Sequence, residues 1–308
     1  MKISFALIPL ILVSIIALVY KRPVLDGPAI SRMQELSTRA SIQEEYRDGG
    51  PQEDEQPSLF ETIQIFHAKR DPAELSSKNW TAQVQQDRMV AVLTNMQRRA
   101  YFVDLAANHA VTISNTYGLE RNLEWNGLCI EGNSQMWKEL VRRQCQLVAA
   151  VVGQEIDEKI SFLVRPNKDG LSGIVNENFD NKQDKGTENE VTFVEDHYAV
   201  PLVEILRHNH APKVIDYLSL DVEGAEFYVM EKFPFEKYQF RIITIERPQP
   251  ELRSLLRANN YTLHAVVAGG NHGETLWFHN DHVSGLNVEA FTKEFSLPNQ
   301  EVALKKWG

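Results

Sequence analysis

From about residue 101 onward, short apolar runs of strand length alternate with segments of helical periodicity, and that alternation leaves few folds open. Strands are predicted at 101–105, 127–131, 146–152, 160–164, 214–221, 241–246, 262–267 and 275–278. Helices are predicted at 134–143, 201–209, 225–232 and 250–258. Ahead of them, Val84, Met89, Val90, Val92, Leu93 and Met96 share one face of a leading helix within 83–97. The pattern predicts an α/β domain over 80–308: a Rossmann-like, doubly wound, mostly parallel sheet with helices on both faces. One polar stretch, 167–189, is too long for a plain connection and reads as a substrate loop.

The first 79 residues have a different character. Ile3 to Tyr20 is apolar apart from Ser4, Pro9 and Ser14, long enough as a helix to cross a bilayer core of roughly 30 Å. It ends Leu18-Val19-Tyr20 before Lys21-Arg22-Pro23, without the small residues of a cleavage site, so 1–22 reads as a retained signal anchor. Residues 23–79, acidic and poor in apolar side chains, read as a flexible stem. Basic residues flank the anchor on both sides and give no orientation. Two sequons, Asn79-Trp80-Thr81 and Asn260-Tyr261-Thr262, fit a body in the lumen of the endoplasmic reticulum or Golgi.

The net charge of −10, with no basic stripe, argues against nucleic acid as a partner. Two cysteines, Cys129 and Cys145, exclude a disulfide framework and a zinc cluster. One bridge is arithmetically open. Two buried thiols are the expectation, because Cys129 lies in the apolar run Gly127-Leu128-Cys129-Ile130.

Three segments carry chemistry. In the first, Tyr101 to Asp104 is a buried strand ending in an acid, followed by small residues, Ala106 and Ala107, before Asn108. Ligands of doubly wound sheets sit outside the carboxyl ends of the strands, so Asp104 is placed to accept from an ammonium or hydroxyl group, or to satisfy its own turn. In the second, Glu131-Gly132-Asn133 ends the next strand a little over twenty residues later, the spacing of a ribose-binding acid, with Asn133 as a helix N-cap. In the third, Asp221-Val222-Glu223-Gly224-Ala225-Glu226 follows a strand and opens a helix. The helix dipole accounts for Glu226, whereas Asp221 should face the cleft. An Asp-x-Glu pair would need further oxygen ligands to hold a divalent ion, and no metal is expected.

Taken together, these segments resemble the FkbM-type methyltransferases over about residues 98 to 280. The carriers are Phe102-Val103-Asp104 with Asn108, Ser114-Asn115-Thr116 through Leu119-Glu120, and Trp125 to Glu131. Arg143-Gln144-Cys145, Leu171 to Ile174, Val200-Pro201-Leu202, Ile215 to Glu226 and Ile242 to Glu246 complete them. The resemblance implies S-adenosylmethionine as cofactor and methyl transfer, often to oxygen. It implies that Asp104, Ala106, Asn108 and Asn115 line the methionine end of the cofactor. Glu131, with Gly132 and Asn133, would bind the ribose, and Asp221 would stand beside the methyl group. Candidate bases for a hydroxyl acceptor are Asp221, Glu223, Glu246 and His272, the last in a loop where a plain surface role is also open. Two departures from the family stand out: Ala106 and Ala110 replace first-turn glycines, and Pro248 follows Arg247 where Asn is more common.

The leading expectation is therefore an anchored methyltransferase acting on a hydroxyl of a glycan, lipid or small molecule. The alternative is a trafficking escort with a degenerate pocket, like the insect Star protein, which resembles the same family. A metal-dependent glycosyltransferase built on Asp221 and Glu223 would leave the first two segments unexplained.

Overall fold

The computed structural model describes residues 64–66, 80–165, 171–181, 192–267, 273–297 and 300–307. The anchor at 1–22 and most of the stem lie outside them. Among the described residues no helix is long and apolar enough to cross a membrane.

The main sheet contains β1 (Gln64–Phe66), β2 (Tyr101–Leu105), β3 (Asn126–Glu131), β4 (Gln146–Ala149), β9 (Val214–Leu220), β10 (Gln239–Glu246), β11 (Tyr261–Val266) and β12 (Glu274–His279). Its order is β1-β4-β3-β2-β9-β10-β12-β11. Strands β4, β3, β2, β9 and β10 are mutually parallel, while β12 runs antiparallel to both its neighbours and β1 antiparallel to β4. The mostly parallel sheet is as expected. The strand β1 comes from the stretch read as stem, where it borders the sheet.

Alternate residues of the central strands point to opposite faces, and both faces are covered. On one, Val103, Leu105, Leu218 and Leu220 pack with α4 (Leu202–His208), α5 (Glu226–Met230) and α6 (Pro250–Ala258). On the other, Phe102, Cys129, Leu147 and Tyr217 pack with α1 (Gln86–Leu93), α2 (Tyr117–Leu123), α3 (Trp137–Leu140) and α7 (Val288–Glu294). A last helix, α8 (Gln300–Trp307), lies near β11. The strand order reverses between β2 and β9, which places the crevice of the fold beside Asp104 and Asp221.

Three expectations need correction. The strand expected at 146–152 is two strands: β4 in the main sheet and β5 (Val151–Gly153) in a second sheet, ordered β5-β8-β6-β7. That sheet also holds β6 (Glu158–Val164), β7 (Gly173–Ile174) and β8 (Phe193–Pro201). β8 escapes the apolar pattern because its exposed half carries Glu195, Asp196 and His197. The helix expected at 134–143 shrinks to the four residues of α3, with turn-type bonds on either side. The two cysteines are not thiols. Parallel pairing of β3 with β4 brings their Cα atoms within 5.8 Å, and they form a disulfide.

Candidate functional site

A cleft of about 240 Å³ lies at the carboxyl ends of β2, β3, β9 and β10, and six carboxylates line it: Asp104, Glu131, Asp221, Glu223, Glu246 and Glu274. The strand register explains the convergence. Asp104 pairs across the sheet with Ser219, and Asp221, one residue beyond β9, donates its N–H to Leu105 O at 3.4 Å. Glu246 ends β10 directly opposite Glu274, which opens β12.

The first turn is held by backbone. The N–H groups of Ala106 and Ala107 both donate to Ile130 O at 3.1 Å. Ala106 (φ 63°) and Asn108 (φ 50°) take left-handed conformations, which explains why glycine suits this turn in the family. Asp104 is buried at 1 % exposure, and Thr116 Oγ1 donates to its Oδ2 at 2.5 Å. Burial pushes its carboxyl up, while Arg143 and the hydroxyls of Thr116 and Ser219 pull it back.

Glu131 joins the first turn to the second. Its Oε2 accepts from Asn108 N and its Oε1 from Asn133 N, both at 2.7 Å. Burial lifts it to about 7 against these two bonds. Each oxygen keeps a further acceptor position. Beside it a small apolar cavity of about 40 Å³ opens over Gly132, where a Cβ would meet Val151 and Phe162. Asn133 caps the following turn through Gln135 N and donates to Ser172 Oγ, tying part of the expected substrate loop to the cleft.

The third segment is the most acidic. Oxygen atoms of Asp221, Glu223 and Glu246 all lie within 4.8 Å of one another. Asp221 is raised well above the usual carboxylate range by burial, then by Glu246, Glu274 and Glu223. Burial and then Glu246 lift both Glu223 and Glu274 to about 8. The span would suit a divalent ion, but Arg247 already stands against two of the three, 2.9 Å from Glu246 and 3.7 Å from Glu223. It also pairs with Asp180 of the expected substrate loop at 2.5 Å. Glu226 has the structural role expected: buried, it accepts from Val222 N and Gly224 N and holds the turn. Gly224 is required there, because φ is 92° and a Cβ would come within 2.7 Å of Asp180 N.

Two oxygens in the cleft are buried without a hydrogen-bond partner among the described residues: Asn115 Oδ1 and Asp221 Oδ1. Asn115 is fixed by donating to Ser219 Oγ at 3.0 Å. Both orphans are acceptors waiting for donors.

Ten of the eleven residues expected in the site are thus placed at or beside one cleft, and the eleventh, His272, lies outside the described residues. Glu274, Gln86 and Arg247 also line it, and sequence reasoning assigned them no role. A charged residue opening the apolar strand Thr275-Leu276-Trp277-Phe278 was the available signal for Glu274. A sequence model of one family, described as the methyltransferase FkbM domain, matches residues 104–263, a little over half of the chain. No curated protein and no solved structure matches it.

Proposed function

Because the chain belongs to the FkbM methyltransferase family, we propose that it transfers the methyl group of S-adenosylmethionine to a hydroxyl of a glycan, lipid or small molecule. The observation that carries this reading is the pair of orphaned acceptors, Asn115 Oδ1 and Asp221 Oδ1, in one acid-lined cleft. A ligand with an ammonium group and a sulfonium supplies donors and positive charge where the protein has acceptors and carboxylates. Asp104 and Asn115 would receive the ammonium, and the second acceptor positions of Glu131 would take ribose hydroxyls. The apolar cavity over Gly132 would lie against the base. The carriers of the escort alternative, the anchor and most of the stem, lie outside the described residues.

When bound, the cofactor supplies a methyl group activated by its sulfonium. The protein's part is to align the acceptor oxygen with that carbon and keep water out. Asp221 would take the proton of the acceptor hydroxyl. Burial, and then the neighbouring acids, raise its proton affinity and make it a stronger base once ionised. In calorimetry with S-adenosylmethionine, Asp221→Asn should lose much less affinity than it loses turnover. Turnover of the variant, followed as cofactor consumption, should fall about a hundredfold. A folded Asp221→Asn protein with wild-type turnover removes Asp221 from catalysis, and a wild type that binds no cofactor removes the reading itself.

We also propose that the domain faces the lumen of the endoplasmic reticulum or Golgi, held by the apolar run at 1–22. The Cys129–Cys145 bridge supports this, since disulfides persist in oxidising compartments. In addition, Asn260 is exposed in the turn before β11, with Thr262 of its sequon exposed two residues on. Protein made in eukaryotic cells should shift in mobility on glycosidase treatment, and Asn260→Gln should reduce that shift. Unshifted full-length protein whose C-terminus is digested outside sealed microsomes would reverse the orientation.

A further inference from the structure

Behind the cleft lies a buried cation that the proposed reaction does not use. Arg143 is wholly buried, its guanidinium 5.8 Å from the Phe102 ring centre and 5.7 Å from that of Tyr117. It donates to Ser114 Oγ at 3.0 Å, to Thr116 Oγ1 at 2.9 Å and to Glu120 Oε2 at 3.2 Å. Glu120 also accepts the N–H groups of Gln144 and Cys145, so the loop carrying Arg143 is fixed from both sides. The nearest approach of Arg143 to Asp104 is 3.8 Å, with Thr116 between them.

We propose that Arg143 is a positioning residue for the cofactor site, acting through the Thr116 hydroxyl to hold the Asp104 carboxylate in place and charged. The direction of the relay follows from donor chemistry. A guanidinium has no acceptor, so the hydroxyl must accept from Arg143, which leaves its own proton for Asp104 Oδ2. A hydroxyl polarised by a cation is the stronger donor.

The need for such a device is visible in what surrounds Asp104. Burial disfavours its ionised form, and Glu120 from α2, Glu131 from β3 and the Tyr217 phenol from β9 all face it as acidic groups. Arg143 is the cation among them, and Ser219 gives a second hydroxyl. An ionised Asp104 is what a cationic ammonium requires. The proposal rests on the cofactor reading above for its purpose, though not for its geometry.

The test uses the full-length protein in two arms. Carbon-13 NMR of labelled aspartate carboxyls, with Asp104→Asn to assign the signal, follows Asp104 through pH without any ligand. Thr116→Val, near-isosteric but unable to donate, should raise the Asp104 midpoint by about one pH unit, and Thr116→Ser should restore it. In the second arm, calorimetry with S-adenosylmethionine should show Thr116→Val weakened by about tenfold at low pH. It should recover as pH rises and Asp104 ionises regardless. An unmoved Asp104 midpoint in folded Thr116→Val overturns the relay, as does an affinity loss equal at every pH. A wild type that binds no S-adenosylmethionine sinks the cofactor reading alone, because the ligand-free titration still decides the relay.

Discussion

Single residues account for most of what the cleft does, and for one cost. Ala106 holds a left-handed conformation at φ 63°, where a side chain costs roughly 1–2 kcal/mol relative to right-handed backbone. Ala106→Gly relieves that strain but loosens the unfolded chain, an opposing effect of about 0.4–1 kcal/mol. The net expectation is a variant more stable by about 1 kcal/mol, seen as a melting temperature higher by about 2–4 °C. An unchanged or lower melting temperature would mean that the Ala106 methyl group contributes packing that outweighs its backbone. At this scale the sequence was readable where an acid ends an apolar strand, as at Asp104, Glu131 and Asp221. It was not readable for Thr116 and Arg143, whose proposed roles arise only when α2 and the loop before β4 meet behind β2.

Among the elements, legibility followed burial. Strands β2, β3, β9 and β10 are covered on both faces, and each shows as an apolar run. β8 does not, because it pairs with β6 in a sheet half open to solvent, where Lys159 and Asp196 form an exposed ion pair at 2.8 Å. The break between β4 and β5 was hidden for the opposite reason. Residues 147–152 are uniformly apolar and buried, so nothing in their composition marks Ala150 as the point where the chain leaves one sheet for the other. The short helix α2 was missed as an element although its residues carry the family resemblance. It matters to the site because Thr116 sits at its N-terminal end and Glu120 within it.

For the molecule as a whole, its buried and half-buried acids, three of them lining the cleft, set a pH dependence. Asp87 is lifted to about 6, Glu131 and Glu226 to about 7, and Glu223 and Glu274 to about 8, in every case mainly by burial. The folded protein therefore keeps protons that the unfolded chain has released. Their contribution to stability is complete below the ordinary carboxylate range and is lost as pH rises through about 6 to 8. Scanning calorimetry of the ligand-free protein should show a melting temperature falling between about pH 5 and pH 9. A flat or rising profile would show that these acids are already ionised in the fold. S-adenosylmethionine, as a cation, should raise the melting temperature more at the alkaline end. The bridge between Cys129 and Cys145 has a different kind of consequence, one of connectivity. It makes a closed ring of a short stretch of chain, and Arg143 is threaded on that ring. Even when every hydrogen bond is gone, the guanidinium remains tethered to the strand that ends in Glu131. A chain refolding with the bridge intact begins with those two parts of the proposed cofactor site already neighbours.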